Sequence, residues 1–390
     1  MEQASDTLAG DPACAPALGA LHTPGSVDMV PTPALICDLD LLTQNIEAMQ
    51  RAADAAGTKL RPHAKSHKSA RIARMQLDAG ATGICVAKLS EAETVVTELE
   101  ADGGPRVSVL VTSPLGNSRS AHRAAALAVR CDLSVVVDHV DGVTELADAA
   151  SGEPRMTVLC DVDVGSGRTG ITDPGHAVDI VARVESASSL RFGGVQGYAG
   201  HAQHVAGREG RRQAVSAAGA RLAAIVDALE SAGHTVAVRT GGGTGSALID
   251  MEIGVLDELQ VGSYVFMDRQ YRDALNGDPE SVFTQSLTLV TTVISTNQVG
   301  FVTVDAGLKS MATDAGVPEV VGHPGSTYAF FGDEQGLVTS TADWAPIRGE
   351  RVVLVPPHCD PTVDRHDRIW LTRGDAVVDV MSVTARGRSY

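Results

Sequence analysis

The chain has 390 residues, 44% of them apolar, enough for a large core and incompatible with global disorder. Acidic residues number 48 against 31 basic ones, a net charge of −17, which excludes the basic face of a nucleic-acid binder; an aromatic content of 3% is too low for base-stacking platforms. No apolar run reaches the ~18 residues of a membrane helix, so neither nucleic acid nor membrane is an expected partner.

The basic residues divide into 26 Arg and only five Lys, at Lys59, Lys65, Lys68, Lys88 and Lys309, so chemistry that needs an amine has few candidates. Six cysteines with no CxxC pair argue against a disulfide framework and against a Cys-based zinc site. Residues 1–30 have no basic start and no apolar h-region, so they read as a mobile arm and the expected compartment is the cytoplasm.

From residue 34, short Val/Ile/Leu-rich runs alternate with helical patterns: ALICDL (34–39), KLRPHA (59–64), GICVAK (83–88), VSVLVT (107–112), LSVVVD (133–138), MTVLCDVDV (156–164), LRFGGVQGY (190–198), TVAVRT (235–240) and DELQVGSYVF (257–266). Such runs suit strands buried on both faces of a parallel sheet. Among the intervening helices, one carries Leu42, Ile46, Met49 and Ala53 on one stripe and stops at Gly57; another is expected to open on a Ser90/Glu93 capping box. The alternation predicts a TIM (β/α)8 barrel, but nine candidates exceed the eight strands that close one. After about residue 278 strand-like runs follow one another across turns, which predicts an all-β domain of roughly 110 residues.

The densest polar cluster, RPHAKSHK (61–68), ends a predicted barrel strand, where barrels place catalytic groups. A period of two would put His63, Lys65 and His67 on one face. Neighbouring cations should depress the amine of Lys65 and make it a Schiff-base nucleophile; the competing reading is a solvated basic loop. In DVDVGSGRTG (161–170), Gly165, Gly167 and Gly170 spell GxGxxG, but Thr172-Asp173-Pro174 reads as the start of the next helix. The glycines therefore do not open one, and a loop presenting Arg168 to an anion fits better than a dinucleotide fingerprint. His201 and His204 follow a further barrel strand.

TGGGTGS, running from Thr240 through Gly241, Gly242, Gly243 and Thr244, lies just after a strand, and so does Gly262-Ser263-Tyr264. Gly/Ser turns after the last two barrel strands are where barrels cradle phosphate, although either alone could be a flexible turn. In the β domain, His358 and Asp360 stand two apart on a segment expected to be extended, so both would point the same way. Imidazole plus carboxylate suits Mn²⁺, Mg²⁺ or Zn²⁺; a polar turn is the alternative.

In this order, TPALICDLDLLTQNI, RPHAKSHK, ICVAKLSEAE, DVDVGSGRTG, GVQGYAGHAQH, GGGTGS, ELQVGSYVFMD, VDAGLK, PPHCDPTVD and SVTARG resemble the D-threonine aldolase, 3-hydroxy-D-aspartate aldolase and D-serine dehydratase family. The resemblance implies an α/β chain: a pyridoxal 5'-phosphate (PLP)-binding TIM barrel of alanine racemase type with a C-terminal all-β domain, in a homodimer. It divides the chain into an arm (1–30), a strand joining the β domain (31–40), the barrel (41–275) and the β domain (276–390). That assignment removes the ninth strand from the barrel.

Residue by residue, the resemblance implies that Lys65 carries PLP, Tyr198 meets the pyridine nitrogen and Arg168 lies near the ring oxygen. Thr240, Gly241, Gly242, Gly243, Thr244, Gly262, Ser263 and Tyr264 would surround the phosphate. The dehydratases of this group resemble His-x-Cys and favour zinc, whereas the aldolases resemble His-x-Asp. With Asp360 in third place, the resemblance favours a hard ion, Mn²⁺ or Mg²⁺ over Zn²⁺. The implied reaction is retro-aldol cleavage of a D-β-hydroxy-α-amino acid to glycine and an aldehyde; His204, or a metal-bound hydroxide, is the expected base. The alternatives are cleavage of 3-hydroxy-D-aspartate, dehydration of D-serine and a non-catalytic PLP carrier.

Overall fold

The computed structural model describes residues 25–150, 156–276, 278 and 282–390. The expected arm over 1–30 lies outside the described residues except for its last six. Eight parallel strands form one sheet, and eight others join β1 in a second, so the ninth candidate is accounted for.

Strand β1 (Ala34–Asp38) pairs antiparallel with a strand at 287–295 and parallel with one at 368–373, far along the chain. It delivers the chain into α1 (Leu39–Ala56), whose N-cap Asp38 accepts from the amides of Asp40 and Leu41 at 2.9 and 3.0 Å. The helix buries the predicted stripe Leu42, Ile46, Met49 and Ala53 against the β-domain core.

The barrel strands are β2 (Lys59–Leu60), β3 (Ile84–Val86), β4 (Ser108–Val111), β5 (Asp132–Val137), β6 (Met156–Asp161), β7 (Leu190–Gly197), β8 (Val238–Gly241) and β9 (Glu258–Leu259). Their order is β2-β9-β8-β7-β6-β5-β4-β3, and a parallel bridge from His63 to Cys85 joins the two ends into a ring. Helices α2 (Ala70–Asp78), α3 (Leu89–Ala101), α4 (Ser118–Ala128), α5 (Val140–Ala149), α6 (Pro174–Ser186), α7 (Arg208–Ser231) and α8 (Ala247–Ile253) intervene, as a (β/α)8 arrangement requires. Val86, Val109, Val111, Val135, Val158 and Val195 sit between strands and helices with no exposure, which is why these runs carry no alternation.

The expected Ser90/Glu93 box is not how α3 begins. Glu91 reaches back to the amides of Ala87 and Lys88 at 2.8 and 3.1 Å, while the Ser90 hydroxyl donates to the carbonyl of Arg388 at 2.8 Å and to that of Tyr390. Long-range contacts with the chain end have overridden a local signal.

After α9 (Arg269–Leu275) the chain builds β10 (Leu287–Ser295), β11 (Phe301–Val304), β12 (Glu319–Val320), β13 (Tyr328–Phe330), β14 (Gly336–Thr339), β15 (Arg351–Val355), α10 (Cys359–Val363), β16 (Arg368–Arg373) and β17 (Ala376–Ser382). With β1 the strands form a nine-stranded, mostly antiparallel sheet. The five cysteines within the described residues are free and buried, and burial pushes the thiols of Cys131 and Cys160 up to about 12. No helix is long and apolar enough to cross a membrane among the described residues.

Candidate active site

The Lys65 segment is not the strand the sequence suggests. Pro62 has no N–H to give a ladder, and β2 stops at Leu60. The chain stays pinned between neighbours, with His63 N donating to the Val261 carbonyl at 2.8 Å and Cys85 N to the Pro62 carbonyl at 2.7 Å. It then coils into a single 3₁₀ turn, Ala64–Ser66. A period of three replaces the period of two, so the shared face of His63, Lys65 and His67 does not form.

His63 caps the turn instead, its Nδ1 accepting from the Lys65 amide at 3.3 Å and its Nε2 lying 3.1 Å from Thr112 Oγ1. His67 is fully buried, and burial lowers its pKa to about 4. Burial, then the charge of Lys65, holds the His63 imidazole well below the usual histidine range, so it stays neutral. The depressed lysine expected from sequence is not found. Burial pushes the Lys65 amine down, but Tyr198 and Asp360 outweigh burial and nearby Arg168, and the net direction is upward.

Tyr198 follows β7. Its ring centroid lies 5.6 Å from Lys65 Nζ and 5.6 Å from Arg168 Cζ, so two cations meet the same aromatic ring. Arg168 is presented by a loop wound on a carboxylate: Asp163 Oδ1 accepts from the amides of Gly165, Ser166 and Gly167 at 2.9, 2.8 and 3.0 Å. Helix α6 opens only at Pro174, with Asp173 capping His176 N at 3.0 Å, as the sequence indicates. Beneath the ring runs a buried polar chain. Gln260 donates to Gln196 at 3.1 Å, Gln196 donates to Asp161 at 2.8 Å, and Thr169 donates to the other oxygen of Asp161 at 2.8 Å.

The two Gly/Ser turns meet at the ends of β8 and β9. A side chain at Gly241 would place its Cβ 2.0 Å from the Gly197 carbonyl oxygen, and Gly242 holds φ at +68°, so glycine is required at both. Thr244 Oγ1 accepts from the Tyr264 amide at 3.0 Å and ties the turns together. Gly243, Thr244, Gly262 and Ser263 reach the cavity wall. Thr240, Gly241, Gly242 and Tyr264 do not; they stand behind it. Thr240 donates to Glu258 at 3.1 Å, and the Tyr264 hydroxyl accepts from Gln76 at 3.0 Å. Among the described residues the amides of Thr244 and Gly262 find no acceptor, which suits a cup for an anion such as phosphate.

Behind this cup Ser246 Oγ donates to Asp250 at 2.6 Å, and burial raises the Asp250 carboxyl to about 7. The fold therefore favours the protonated acid. Its contribution to stability is complete below the ordinary 3.8 and is lost as pH rises through about 7. The interval corresponds to about 4 kcal/mol at the upper limit. Asp250→Asn should accordingly melt above the parent protein at pH 8 and not at pH 4. Equal melting temperatures of the two proteins at pH 8 would refute the burial cost.

His358 and Asp360 reach the same cavity from the β domain, but not along an extended segment. His358 is the N-cap of α10 (φ −145°) and Asp360 lies in its first turn. Asp268 holds the turn through the Cys359 amide at 2.8 Å, and Thr362 Oγ1 donates to the His358 carbonyl at 2.6 Å. Asp360 Oδ1 accepts from Ser263 at 2.9 Å, so the β-domain carboxylate touches the barrel's anion cup. His358 Nδ1 lies 2.7 Å from Asp314 Oδ2.

His204 faces this pair. Its ring centroid is 4.5 Å from that of Tyr271 on α9, and its buried Nδ1 has no hydrogen-bond partner among the described residues. Burial, then His358, lowers its pKa to about 4, which leaves it a neutral acceptor near pH 7. His201 points elsewhere, its Nδ1 lying 3.3 Å from Ser166 Oγ.

One cavity of about 510 Å³ thus gathers Lys65, Arg168, Tyr198, His204, Gly243, Thr244, Gly262, Ser263, His358 and Asp360. The open amides, two cations flanking an aromatic ring and a lysine at one end fit a phosphorylated aromatic aldehyde such as PLP. Imidazole and carboxylate, as His358 and Asp360 offer them, are donor types that suit a divalent cation, but no group of three or more His, Cys, Asp or Glu that could hold a metal ion occurs among the described residues. Sequence reasoning did not single out Gln196, Gln260, Thr112 or Tyr271. Each stood inside or beside a quoted motif, but nothing in its spacing marked it.

The family model for the alanine racemase N-terminal domain matches residues 37–270, and one for a serine dehydratase domain matches residues 286–372. The chain is 37% identical over 362 residues to a D-threonine aldolase of Arthrobacter sp, covering 92% of this chain and 94% of that one. It is 35% identical over 368 residues to a 3-hydroxy-D-aspartate aldolase of Paracoccus denitrificans (strain Pd 1222), covering 93% of each. The solved D-threonine aldolase from Filomicrobium marinum superposes with a TM-score of 0.87 at 35% identity, over 94% of this chain and 99% of that one.

Proposed function

The chain belongs to the alanine racemase N-terminal domain family, and on that premise we propose that it is a PLP-dependent, divalent-metal-assisted aldolase that cleaves D-threonine-type β-hydroxy-α-amino acids to glycine and an aldehyde. The carrying observation is the single cavity in which Lys65 and Arg168 of the barrel face His358 and Asp360 of the β domain. The named relatives support the same reading. The proposal includes division into a barrel (41–275) and a β domain (276–390), Mn²⁺ or Mg²⁺ as the favoured metal with Zn²⁺ as the alternative, a homodimer and the cytoplasm.

Lys65 would hold the cofactor through its amine, Tyr198 and Arg168 would orient the ring, and Gly243, Thr244, Gly262 and Ser263 would bind the phosphate. His358 and Asp360 would hold the cation. When bound, PLP supplies an electron sink for the Cα–Cβ bond and the metal supplies a Lewis acid at the β-hydroxyl. His204, kept neutral by burial, accepts the hydroxyl proton. Tyr271 fixes the plane of that imidazole. Incubation with D-threonine, D-3-hydroxyaspartate and D-serine, followed by assays for acetaldehyde, glyoxylate and pyruvate, separates the reactions. Pyruvate from D-serine as the main product would reject the aldolase reading.

Cleavage of 3-hydroxy-D-aspartate is the second reading, and Lys88 favours it. Lys88 lines the cavity just after β3, and no ion pair joins it to a carboxylate among the described residues. A substrate β-carboxylate would find a cation there. On this reading, Lys88→Gln should lower kcat/KM for D-3-hydroxyaspartate about tenfold to a hundredfold and leave D-threonine unchanged. An equal fall for both substrates would assign Lys88 to the α-carboxylate instead.

A further inference from the structure

Lys68 stands three residues after the cofactor-lysine candidate and takes no direct part in the reaction above. It is a non-glycine residue at φ +49°, in the left-handed region, and it is buried. Such a conformation persists only where the surroundings over-determine it. The surroundings here do so. Lys68 N donates to the Ala64 carbonyl at 2.7 Å and thereby closes the turn that carries Lys65. Its carbonyl accepts from Ala385 N at 3.0 Å.

The ammonium spans two elements. Lys68 Nζ lies 2.8 Å from Glu91 Oε1 at the start of α3 and 3.1 Å from Asp364 Oδ1 at the C-cap of α10. The second oxygen of Glu91 is held by the Ala87 and Lys88 amides, and Asp364 Oδ1 also accepts from Gly387 N at 3.0 Å. Asp364 N in turn donates to the Asp360 carbonyl at 3.3 Å. One buried cation is therefore bonded, through its own backbone, to the Lys65 turn and, through its side chain, to the helix that presents Asp360. A buried ion pair of this kind earns little net stability against an apolar replacement, but it fixes geometry.

We propose that Lys68 is a positioning residue that sets the distance between the Lys65 turn of the barrel and the His358/Asp360 helix of the β domain. This rests on the reaction proposed above. Without the ammonium, two carboxylates would be left facing each other across the junction, and among the described residues α10 would be tied to the barrel only through Asp268 at the Cys359 amide and Ser263 at Asp360.

The test compares Lys68→Met, Lys68→Arg and Asp364→Asn in the holoenzyme. In Lys68→Met the expected results are retained yellow cofactor, a Mn²⁺ half-saturation raised about tenfold to a hundredfold, and faster hydrogen exchange at amides 359–364. Lys68→Arg should recover part of the Mn²⁺ affinity, because it restores the charge. Asp364→Asn, at the more exposed end of the pair, should shift Mn²⁺ affinity and exchange in the same direction even if Lys68→Met does not fold. Unchanged Mn²⁺ half-saturation and unchanged exchange in a folded variant would overturn the proposal. If the parent protein takes up no Mn²⁺, the metal-assisted reading fails, and exchange at 359–364 still decides the role of Lys68.

Discussion

Lys65→Ala should yield a folded, colourless protein with aldol cleavage reduced by at least about 10³-fold. The loss follows from position. Lys65 is the only lysine whose Nζ lies over the Tyr198 ring among the described residues; Lys88 also lines the cavity, but makes no such contact with that ring. Lys68 is committed to Glu91 and Asp364, and Lys309 is an exposed partner of Glu334 in the β domain, so neither can stand in. Lys59 leads into the barrel strand from its far end. The fold should survive because the turn is held by backbone bonds and by His63, none of which uses the Lys65 side chain. Absorbance of the purified protein and a turnover assay read the two effects separately. A variant that keeps the bound colour would remove Lys65 from the cofactor role.

Asp360→Ala should lower turnover by about 10²- to 10⁴-fold while the cofactor colour remains. The residue supplies the anionic donor of the pair, and histidine alone gives a divalent ion a single protein ligand at this end of the cavity. Its other task, accepting from Ser263 at 2.9 Å, links the metal side to the anion cup. Asp360→Asn keeps that acceptor and removes the charge, so it should keep PLP affinity near that of the parent and still lose activity. If Asp360→Asn turned over normally, the carboxylate would be a bridge between domains and not a metal ligand.

The fold was legible in the sequence because parallel strands covered on both faces leave uninterrupted Val/Ile/Leu runs, and these survive as β3 to β8. Place in the sheet was less legible: ALICDL reads like its neighbours, yet β1 pairs only with strands some 250 and more residues on. Its assignment came from family likeness, not from its own residues. Two local readings failed for one reason. RPHAKSHK and PPHCD read as extended, but each coils into a short helical turn, and alternation cannot reveal a single turn. The pairing of Ser90 with the chain end was equally invisible, since it joins residues about 300 apart.

At the site, charged and glycine-rich motifs announced themselves by composition. Gln196, Gln260 and Tyr271 did not, because a neutral polar side chain at a strand end, or an aromatic one on a helix, looks like ordinary core. The direction of the Lys65 shift also eluded sequence reasoning. Arg168 was in view from the start, but the closeness of Tyr198 and Asp360, brought in from a later strand and from the second domain, exists only in the fold.

On the proposed reading, cleavage needs a cofactor held by the barrel and a metal held by the β domain in one cavity. The direct measurement follows acetaldehyde and glycine from D-threonine in the holoenzyme before chelation, after EDTA and after Mn²⁺ is returned, with the cofactor absorbance recorded throughout. The expected result is equal amounts of the two products, their loss on chelation with the colour retained, and their return with Mn²⁺. Undiminished cleavage in EDTA would contradict it.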